Sequence, residues 1–364
     1  MGERQSAVEG VVNTKFWTGK RVLLTGHTGF KGSWLTLWLA TLGARVHGYA
    51  LEPDTDPSLF RELRLERDID HCVADIRDAD AVRRRVTATR PEVVFHLAAQ
   101  PLVRRSYAAP LLTWQTNVMG TVHLLDALRE LDEACAVVIV TTDKVYENRE
   151  WVHAYRETDR LGGHDPYSSS KAACELAVGS WRDSFFSVDC PVRVATGRAG
   201  NVIGGGDWSE DRIVPDAIRA LAADRPLVVR NPEAIRPWQH VLDPLAGYLR
   251  LAECLASSTD PRFQSAFNFG PDPSAARTVR DLVDLAFTIW PGTLQAPPPG
   301  PAHHEAALLT LTNAKAAHDL GWTPRWDFHA AVGATVEWYR ARHGGAGVRD
   351  LSTADIARFQ SRQS

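Results

Sequence analysis

Six short apolar runs, separated by stretches of helical periodicity, constrain this chain more than any other feature. They are RVLLT (21–25), ARVHGYA (44–50), HCVAD (71–75), EVVFHLA (92–98), AVVIVTT (136–142) and PVRVAT (191–196). Near-continuous Val, Leu and Ile is the pattern of strands buried on both faces. Between the runs, GSWLTLWLATLG (32–43), DADAVRRRVTATR (78–90) and the segment 110–131 space their apolar residues as helices do. A further helix over 167–187 opens on Asp165 as N-cap, with Pro166 at the first helical position. This alternation predicts an α/β fold built on a doubly wound parallel sheet.

The turn after the first run narrows the class. TGHTGFKG places Gly26, Gly29 and Gly32 directly after a strand and at the start of a helix. Glycines there permit a tight turn, a close approach of a pyrophosphate to the backbone, and close helix–strand packing, while the helix N-terminus offers its amides to phosphate. We therefore expect a Rossmann-type dinucleotide site contacted by Gly26, His27, Thr28, Gly29, Phe30, Lys31 and Gly32. Lys31 could lie against a phosphate or project into solvent. Asp75 and Ile76, after the third strand, are expected at the adenine edge. Ala50 stands near the place of the usual ribose-binding acid, with Glu52 beyond it and no arginine close in sequence, which leaves NAD and NADP undecided locally. The predicted organisation is a dinucleotide domain over 1–200, its core starting near 17 and some later segments returning to it. A smaller, mainly substrate-binding lobe follows over 201–343, then a frayed polar tail over 344–364.

Two further motifs bear on chemistry. In YSSSK, Tyr167 and Lys171 are four residues apart, so both project from one helix face with Cβ atoms about 5–6 Å apart. A nearby ammonium favours phenolate and is expected to draw the tyrosine down from its usual pKa of about 10. The strand run ending at Val140 then presents Thr142, Asp143 and Lys144 in succession. An acid beside a cation is either an inert pair or a proton donor beside an unusual base.

Composition removes several classes. A net charge of −3 without any Lys/Arg block argues against nucleic acid or an anionic membrane as partner. No apolar run approaches the roughly 18 residues of a membrane span. The N-terminal stretch has no apolar core of the kind an export signal needs, so a cytoplasmic protein is expected. Five widely spaced cysteines without a CxxC suit a reducing compartment. His303 and His304 lack metal-ligand spacing, and no metal is expected.

The glycine loop, HLAAQ (96–100), TNVMGT (116–121), TTDK (141–144) and the YxxxK pair together resemble the extended short-chain dehydrogenase/reductases that modify nucleotide sugars. GHTGFKGSW, TDKVYENREW, GGHDPYSSSK, RAGNVIGGGDW and RNPEAIRPWQHVLDP carry that likeness through most of the chain, toward the 4,6-dehydratases of CDP-sugars. The resemblance implies NAD as cofactor, held also by Leu97, Ala98, Ala99, Asn117, Tyr167 and Lys171, and a CDP-hexose as substrate. It implies that Tyr167, with Lys171 and Thr142, deprotonates the sugar 4-OH while C4 is oxidised. Asp143 would protonate the departing 6-OH, and hydride would return to C6. Lys144 stands where related dTDP-sugar enzymes have a glutamate base for C5; it would act as that base or as a cation steadying the enolate. Gln100, Arg104, Asn201, Asp207, Trp208, Arg212, Arg230 and Arg236 would contact substrate. Helices over 110–131 and 167–187 would pair two copies into a homodimer.

Two histidines depart from the resemblance. His153 stands where tryptophan is usual and His164 where tyrosine is usual, so the sugar end could be altered; His240 reads as structural. The competing enzyme reading is a 4-epimerase or another C4-oxidising enzyme. A dinucleotide-sensing regulator on this fold is the non-enzyme reading, and it would not need Thr142, Tyr167 and Lys171 together.

Overall fold

The structure, a computed structural model, describes residues 11–187, 189–229, 231–272, 276–295 and 308–361. Its centre is a seven-stranded parallel sheet. The first six strands are β1 (Arg21–Thr25), β2 (Arg45–Ala50), β3 (Asp70–Val73), β4 (Val93–His96), β5 (Cys135–Val140) and β6 (Val192–Ala199). The order across the sheet is Ala266–Phe269, β6, β5, β4, β1, β2, β3. The order reverses between β1 and β4, where ligands of such sheets bind beyond the strands' carboxyl ends. Each predicted apolar run is one of these strands. The seventh comes from beyond residue 260, so the late chain returns to the sheet.

The helices are α1 (Thr14–Trp17), α2 (Phe30–Thr41), α3 (Leu59–Leu63), α4 (Ala79–Thr89), α5 (Val103–Ala108), α6 (Pro110–Trp114) and α7 (Gly120–Leu128). They continue with α8 (Pro166–Ser184), α9 (Ile213–Ala222), α10 (Leu242–Ser257), α11 (Val279–Ile289), α12 (Phe328–His343) and α13 (Val348–Ser361). Successive strand residues point to opposite faces. Val22, Leu24, Val138 and Val140 pack with α2, α10 and α12 on one face. Leu23, Val94, Val137 and Ile139 pack with α4, α7 and α8 on the other. Burying both faces is what the continuous apolar runs required.

Two expectations are corrected. The single helix expected over 110–131 is interrupted by a wide π turn, Gln115–Met119, between α6 and α7. Of the segment 344–364, the described residues, which run to 361, are not a frayed tail: α13 lies among them, with Ile356 and Phe359 fully buried. Phe359 meets Trp38 and Trp326 edge-on, at 5.8 and 5.4 Å between ring centroids. Four apolar residues suffice because Val348, Leu351, Ile356 and Phe359 recur near the helical period and so share one face.

Candidate active site

A cavity of about 1630 Å³ opens at the carboxyl ends of the strands. That exceeds the roughly 300–1,000 Å³ of a site for one small ligand and leaves room for two side by side. One half is walled by the glycine loop, the ends of β2 to β4 and residues 97–100; the other by the end of β5, α8 and the loops that lead to α9.

Packing distinguishes the three loop glycines. Gly26 has a φ of +75°, and a Cβ there would sit 2.6 Å from the amide nitrogen of Ala98. A Cβ on Gly32 would stand 2.1 Å from the carbonyl oxygen of Gly26. The protein's own backbone demands both. Gly29, the N-cap of α2, has an ordinary φ of −77°, and its Cβ would meet only Gly26 O at 3.5 Å. Nothing in the chain requires its bareness, so the space belongs to whatever approaches from the cavity. The loop thus fits a dinucleotide pyrophosphate.

Of the expected cofactor contacts, Gly26, Thr28, Gly29, Phe30, Lys31, Gly32, Asp75, Ile76, Leu97, Ala98, Ala99, Tyr167 and Lys171 line the cavity. Two do not. His27 is fully buried beneath the loop, its ring against Gly48 and its Nε2 2.7 Å from Nδ1 of His71. Burial, with His71 beside it, pushes its pKa down to about 3. Asn117 is buried in the π turn, where its amide accepts from Gln100 N (2.8 Å) and donates to Gln100 O (3.2 Å) and Ser170 Oγ (2.9 Å). Both residues hold the site's walls together without facing it. The Asp75 carboxylate is engaged by the amide and guanidinium of Arg77, and its carbonyl accepts from the Tyr49 hydroxyl at 2.8 Å. Glu52 is 3.6 Å from Arg61, an arginine that sequence distance concealed.

At the other half, β5 ends in the predicted cluster. Thr142 donates to Asp143 Oδ1 at 2.9 Å and is hydrogen-bonded to the phenol of Tyr167. Lys144 Nζ lies 3.2 Å from the same Asp143 oxygen, its side chain about one-third exposed at 32%. Lys171 donates to the carbonyl of Val140 at 3.1 Å, and its pKa is lowered chiefly by burial. The expected depression of the tyrosine is not found. Burial pushes Tyr167 up to about 12, against the hydrogen bond it shares with Thr142, because a buried phenolate loses more hydration than these neighbours return.

Lys31, in the first turn of α2, lies within electrostatic reach of this cluster. Its amine is pushed down to about 8 by burial and by Arg212, with Asp143 opposing and Lys171 and Lys144 adding to the effect. Arg212 in turn is paired with Asp207 at 2.9 Å and lies near Tyr167. The carbonyl of Asp207 accepts from Tyr339 at 2.6 Å, and the Arg342 guanidinium covers Trp208 at 4.7 Å. Helix α12 therefore fastens the loop that closes the substrate side.

Gln100, Arg104, Asn201, Asp207, Trp208, Arg212 and Arg236 line the cavity; Arg230 lies outside the described residues, as do His303 and His304. The amide of Gln100 is committed to Leu102 and Thr113. Arg104 reaches across the mouth to Asp211 at 2.9 Å. His164 is on the cavity wall, whereas His153 is exposed beside Trp151. His240 is fully buried against Trp326, with its pKa pushed down by burial to about 3, a packing residue.

One element escaped the sequence reading. One turn beyond Lys171, the Glu175 carboxylate accepts two bonds of 2.9 Å from Arg198, and one each from Thr141 (2.5 Å) and Thr196 (2.8 Å). Arg198 continues to the hydroxyl of Tyr146 at 2.8 Å, which donates to Asn268 at 2.7 Å. Burial opposes ionisation of Glu175, but Arg198 and the threonines outweigh it and hold the carboxyl below its usual range. The available signal was the spacing 167, 171, 175, which lines three polar residues along one helix face.

A doubly wound sheet whose glycine loop faces a Thr–Asp strand end and a Tyr–Lys helix is the architecture of the extended short-chain dehydrogenase/reductases. The family model for GDP-mannose 4,6 dehydratase matches residues 23–259, and the chain belongs to that family. It is 46% identical over 356 residues to a CDP-glucose 4,6-dehydratase of Salmonella typhimurium, covering 96% of this chain and 99% of that protein. A dTDP-glucose 4,6-dehydratase of Xanthomonas campestris pv. campestris is 27% identical over 342 residues, 87% of this chain and 92% of its own. Among solved structures, an epimerase from Methanothermobacter thermautotrophicus superposes with a TM-score of 0.75 at 21% identity, covering 93% of this chain and 96% of its own. Among the described residues no helix is long and apolar enough to cross a membrane.

Proposed function

We propose that this protein is an NAD-dependent 4,6-dehydratase that converts CDP-glucose to CDP-4-keto-6-deoxyglucose. The observation that carries the reading is the strand end at 142–144, hydrogen-bonded to Tyr167 inside a cavity large enough for a dinucleotide and a nucleotide sugar. The 46% identity to a CDP-glucose enzyme supports the choice of nucleotide and sugar.

The glycine loop, Asp75–Ile76 and residues 97–99 would hold NAD. When bound, NAD takes a hydride from C4 of the sugar and returns it to C6. The protein's own groups do the rest. Tyr167, oriented by Thr142, accepts the proton of the 4-OH. Lys171 is fixed on Val140 O, at the foot of the same wall. Asp143, buried and positioned by Thr142, delivers a proton to the departing 6-OH. Lys144, beside Asp143 at 3.2 Å, would act as the base for C5 or, as an ammonium, would steady the negative charge that develops when C5 loses its proton. Asn201, Arg212 and Arg236 supply donors and positive charge for the substrate diphosphate, to which a planar guanidinium is suited.

Incubation with a panel of CDP-, dTDP-, GDP- and UDP-hexoses, followed by mass, tests the proposal. Loss of water from CDP-glucose in preference to the others is expected. Retention of mass with inversion at C4 would identify an epimerase instead. The fold also leaves Leu111, Trp114 and Leu176 exposed on α6 and α8, an apolar stripe suited to a second copy of the chain. A homodimer in analytical ultracentrifugation is the expected result.

A further inference from the structure

The strand end that leads into Thr142, Asp143 and Lys144 is gripped just before those residues begin. The Thr141 amide donates to the carbonyl of Gly197 on β6 at 2.9 Å. The Lys171 amine donates to the carbonyl of Val140 at 3.1 Å, and the Thr141 hydroxyl donates to Oε1 of Glu175 at 2.5 Å. Lys171 and Glu175 are four residues apart on α8, so one helix face holds two successive residues of the strand end. Tyr167 heads the same face. Thr142, the next residue along the strand end, donates to Asp143 Oδ1 at 2.9 Å.

Glu175 is a fixed point and not a proton carrier. Its Oε1 accepts from Thr141 and from Arg198 Nε at 2.9 Å; its Oε2 accepts from Thr196 at 2.8 Å and from Arg198 Nη2 at 2.9 Å. An ionised carboxylate offers about four lone-pair sites, and all four are filled. A two-pronged guanidinium contact fixes orientation as well as distance. Arg198 is itself anchored, donating to the Tyr146 hydroxyl at 2.8 Å and to the carbonyl of Glu157 at 3.0 Å. Thr196 and Arg198 both lie on β6. Of the residues that donate to Glu175, Thr141 is the one that leads into the reacting groups.

We propose that Thr141 is a positioning residue, whose hydrogen bond to Glu175 sets the strand end at the distance from α8 at which Thr142 and Asp143 meet the sugar beside Tyr167. This rests on the dehydratase reading above. Thr141 moves no proton, and its bond is the same before and after each step. Its importance lies in register, since a misplacement of about 1 Å can cost about 10²-fold in rate with every reacting group still present. Thr196 supplies an internal control. It gives the same carboxylate one hydrogen bond and is as deeply buried, at 2% exposure against 5% for Thr141, but it lies on the neighbouring strand.

The test uses the NAD-loaded protein and CDP-glucose. It compares the natural chain with Thr141→Val, Thr141→Ser and Thr196→Val. Nicotinamide absorbance in a single turnover reads C4 oxidation, steady-state rates give kcat and KM, and thermal midpoints read folding. Thr141→Val keeps the branched shape and removes the hydroxyl. Its C4 oxidation and kcat should fall by about 10- to 10²-fold with KM within about twofold, the pattern of an arrangement needed for reaction and not for binding. Thr141→Ser keeps the hydroxyl and should recover both rates to within about threefold. Thr196→Val should lower the thermal midpoint as much as Thr141→Val, yet leave kcat within about twofold. Equal losses of rate in the two valine variants would mean that both threonines only stabilise the fold, and the proposal falls. It falls also if Thr141→Val raises KM at the natural kcat, because Thr141 would then act as a binding wall. Should Thr141→Val not fold, Thr141→Ala removes the same hydroxyl without setting a methyl against the carboxylate, and carries the same outcomes. If the natural chain releases no water from CDP-glucose or any other hexose, the dehydratase reading itself fails. The nicotinamide signal would still compare the variants, because C4 oxidation is shared with an epimerase.

Discussion

The two halves of the cavity are built from different materials. The dinucleotide half is backbone: a Cβ on Gly26 or Gly32 would stand only 2.6 or 2.1 Å from other main-chain atoms, and two of its acids, Glu52 and Asp75, are already engaged by arginines. The sugar half is side chains: Asp143, Lys31, Lys144, Lys171 and Arg212 crowd together, held from behind by the Glu175–Arg198 pair. Backbone walls give a surface that binds the same dinucleotide without taking part in proton transfer. Charged side chains kept from water give groups whose protonation the neighbours decide. One half should therefore respond to mutation through affinity and folding, the other through chemistry.

Tyr167→Phe should separate the halves most sharply. Removing one hydroxyl from a buried, well-packed ring leaves the wall intact and takes away the proton acceptor. Turnover of CDP-glucose is expected to fall by about 10²–10⁴-fold, the range of a lost general base, while calorimetric affinity for the nucleotide sugar changes far less. Equal losses in both would mean that the tyrosine works by binding, and the contrast between the halves would collapse.

The support behind the sugar half comes next. Arg198→Met leaves Glu175 buried without its cation, a change that costs about 3–5 kcal/mol in comparable pairs. Urea unfolding should show the loss. Turnover of the folded fraction should also fall, since Glu175 lies one turn from Lys171 on α8. A variant as stable as the natural chain would show the pair to be dispensable.

Asp243 is the counter-example among buried carboxyls. It accepts the amide of Arg325 at 2.7 Å, but its Oδ2 has no partner, and burial pushes its pKa up to about 7. The unfolded chain ionises it near 3.8. The folded state thus holds the proton more tightly, and its contribution to stability, complete below pH 3.8, is lost as pH rises to 7. Asp243→Asn keeps the shape and the accepted bond without the charge. Above pH 7 it should gain stability relative to the natural chain, by up to a few kcal/mol, since each pH step of one between the two values is worth about 1.36 kcal/mol. The gain should vanish toward pH 4. Denaturant midpoints measured from pH 4 to 9 check the sign. Glu175, with its arginine, should give the opposite slope.

How far the sequence discloses each half follows from the same division. Strands buried on both faces must be apolar throughout, so the sheet is legible as six runs, and a backbone-built turn must spend glycines at fixed spacing, so the loop is legible too. YSSSK and TTDK are legible because their residues are neighbours in the chain. What the sequence concealed depends on where distant segments meet. His27 sits within the glycine motif yet turns inward to His71, and Asn117 spends its amide on Gln100 and Ser170. Lys31 looks like part of a phosphate turn until α9 brings Arg212 beside it. Glu175 and Arg198 are 23 residues apart and pair only once β6 lies against β5. The tail at 344–364 reads as polar because a helix that buries one narrow stripe needs only four apolar residues to do it.

The finest test lies within the glycine loop itself, where two similar substitutions should have unlike results. Gly32→Ala forces a methyl to within 2.1 Å of Gly26 O, and the obstacle is backbone, which cannot swing aside. Overpacking of this kind typically costs about 1–3 kcal/mol, and the turn must deform to accept it. Gly29→Ala meets nothing closer than 3.5 Å at an ordinary φ, so its folded stability should stay within about 1 kcal/mol of the natural chain. Yet its methyl would stand in the space left for the pyrophosphate. Thermal midpoints without added dinucleotide should fall for Gly32→Ala and hold for Gly29→Ala. The stabilisation gained on adding NAD should persist in the natural chain and be lost in Gly29→Ala. If Gly29→Ala binds NAD undiminished, the pyrophosphate does not rest on this loop, and the backbone half of the cavity would have to be assigned to some other group.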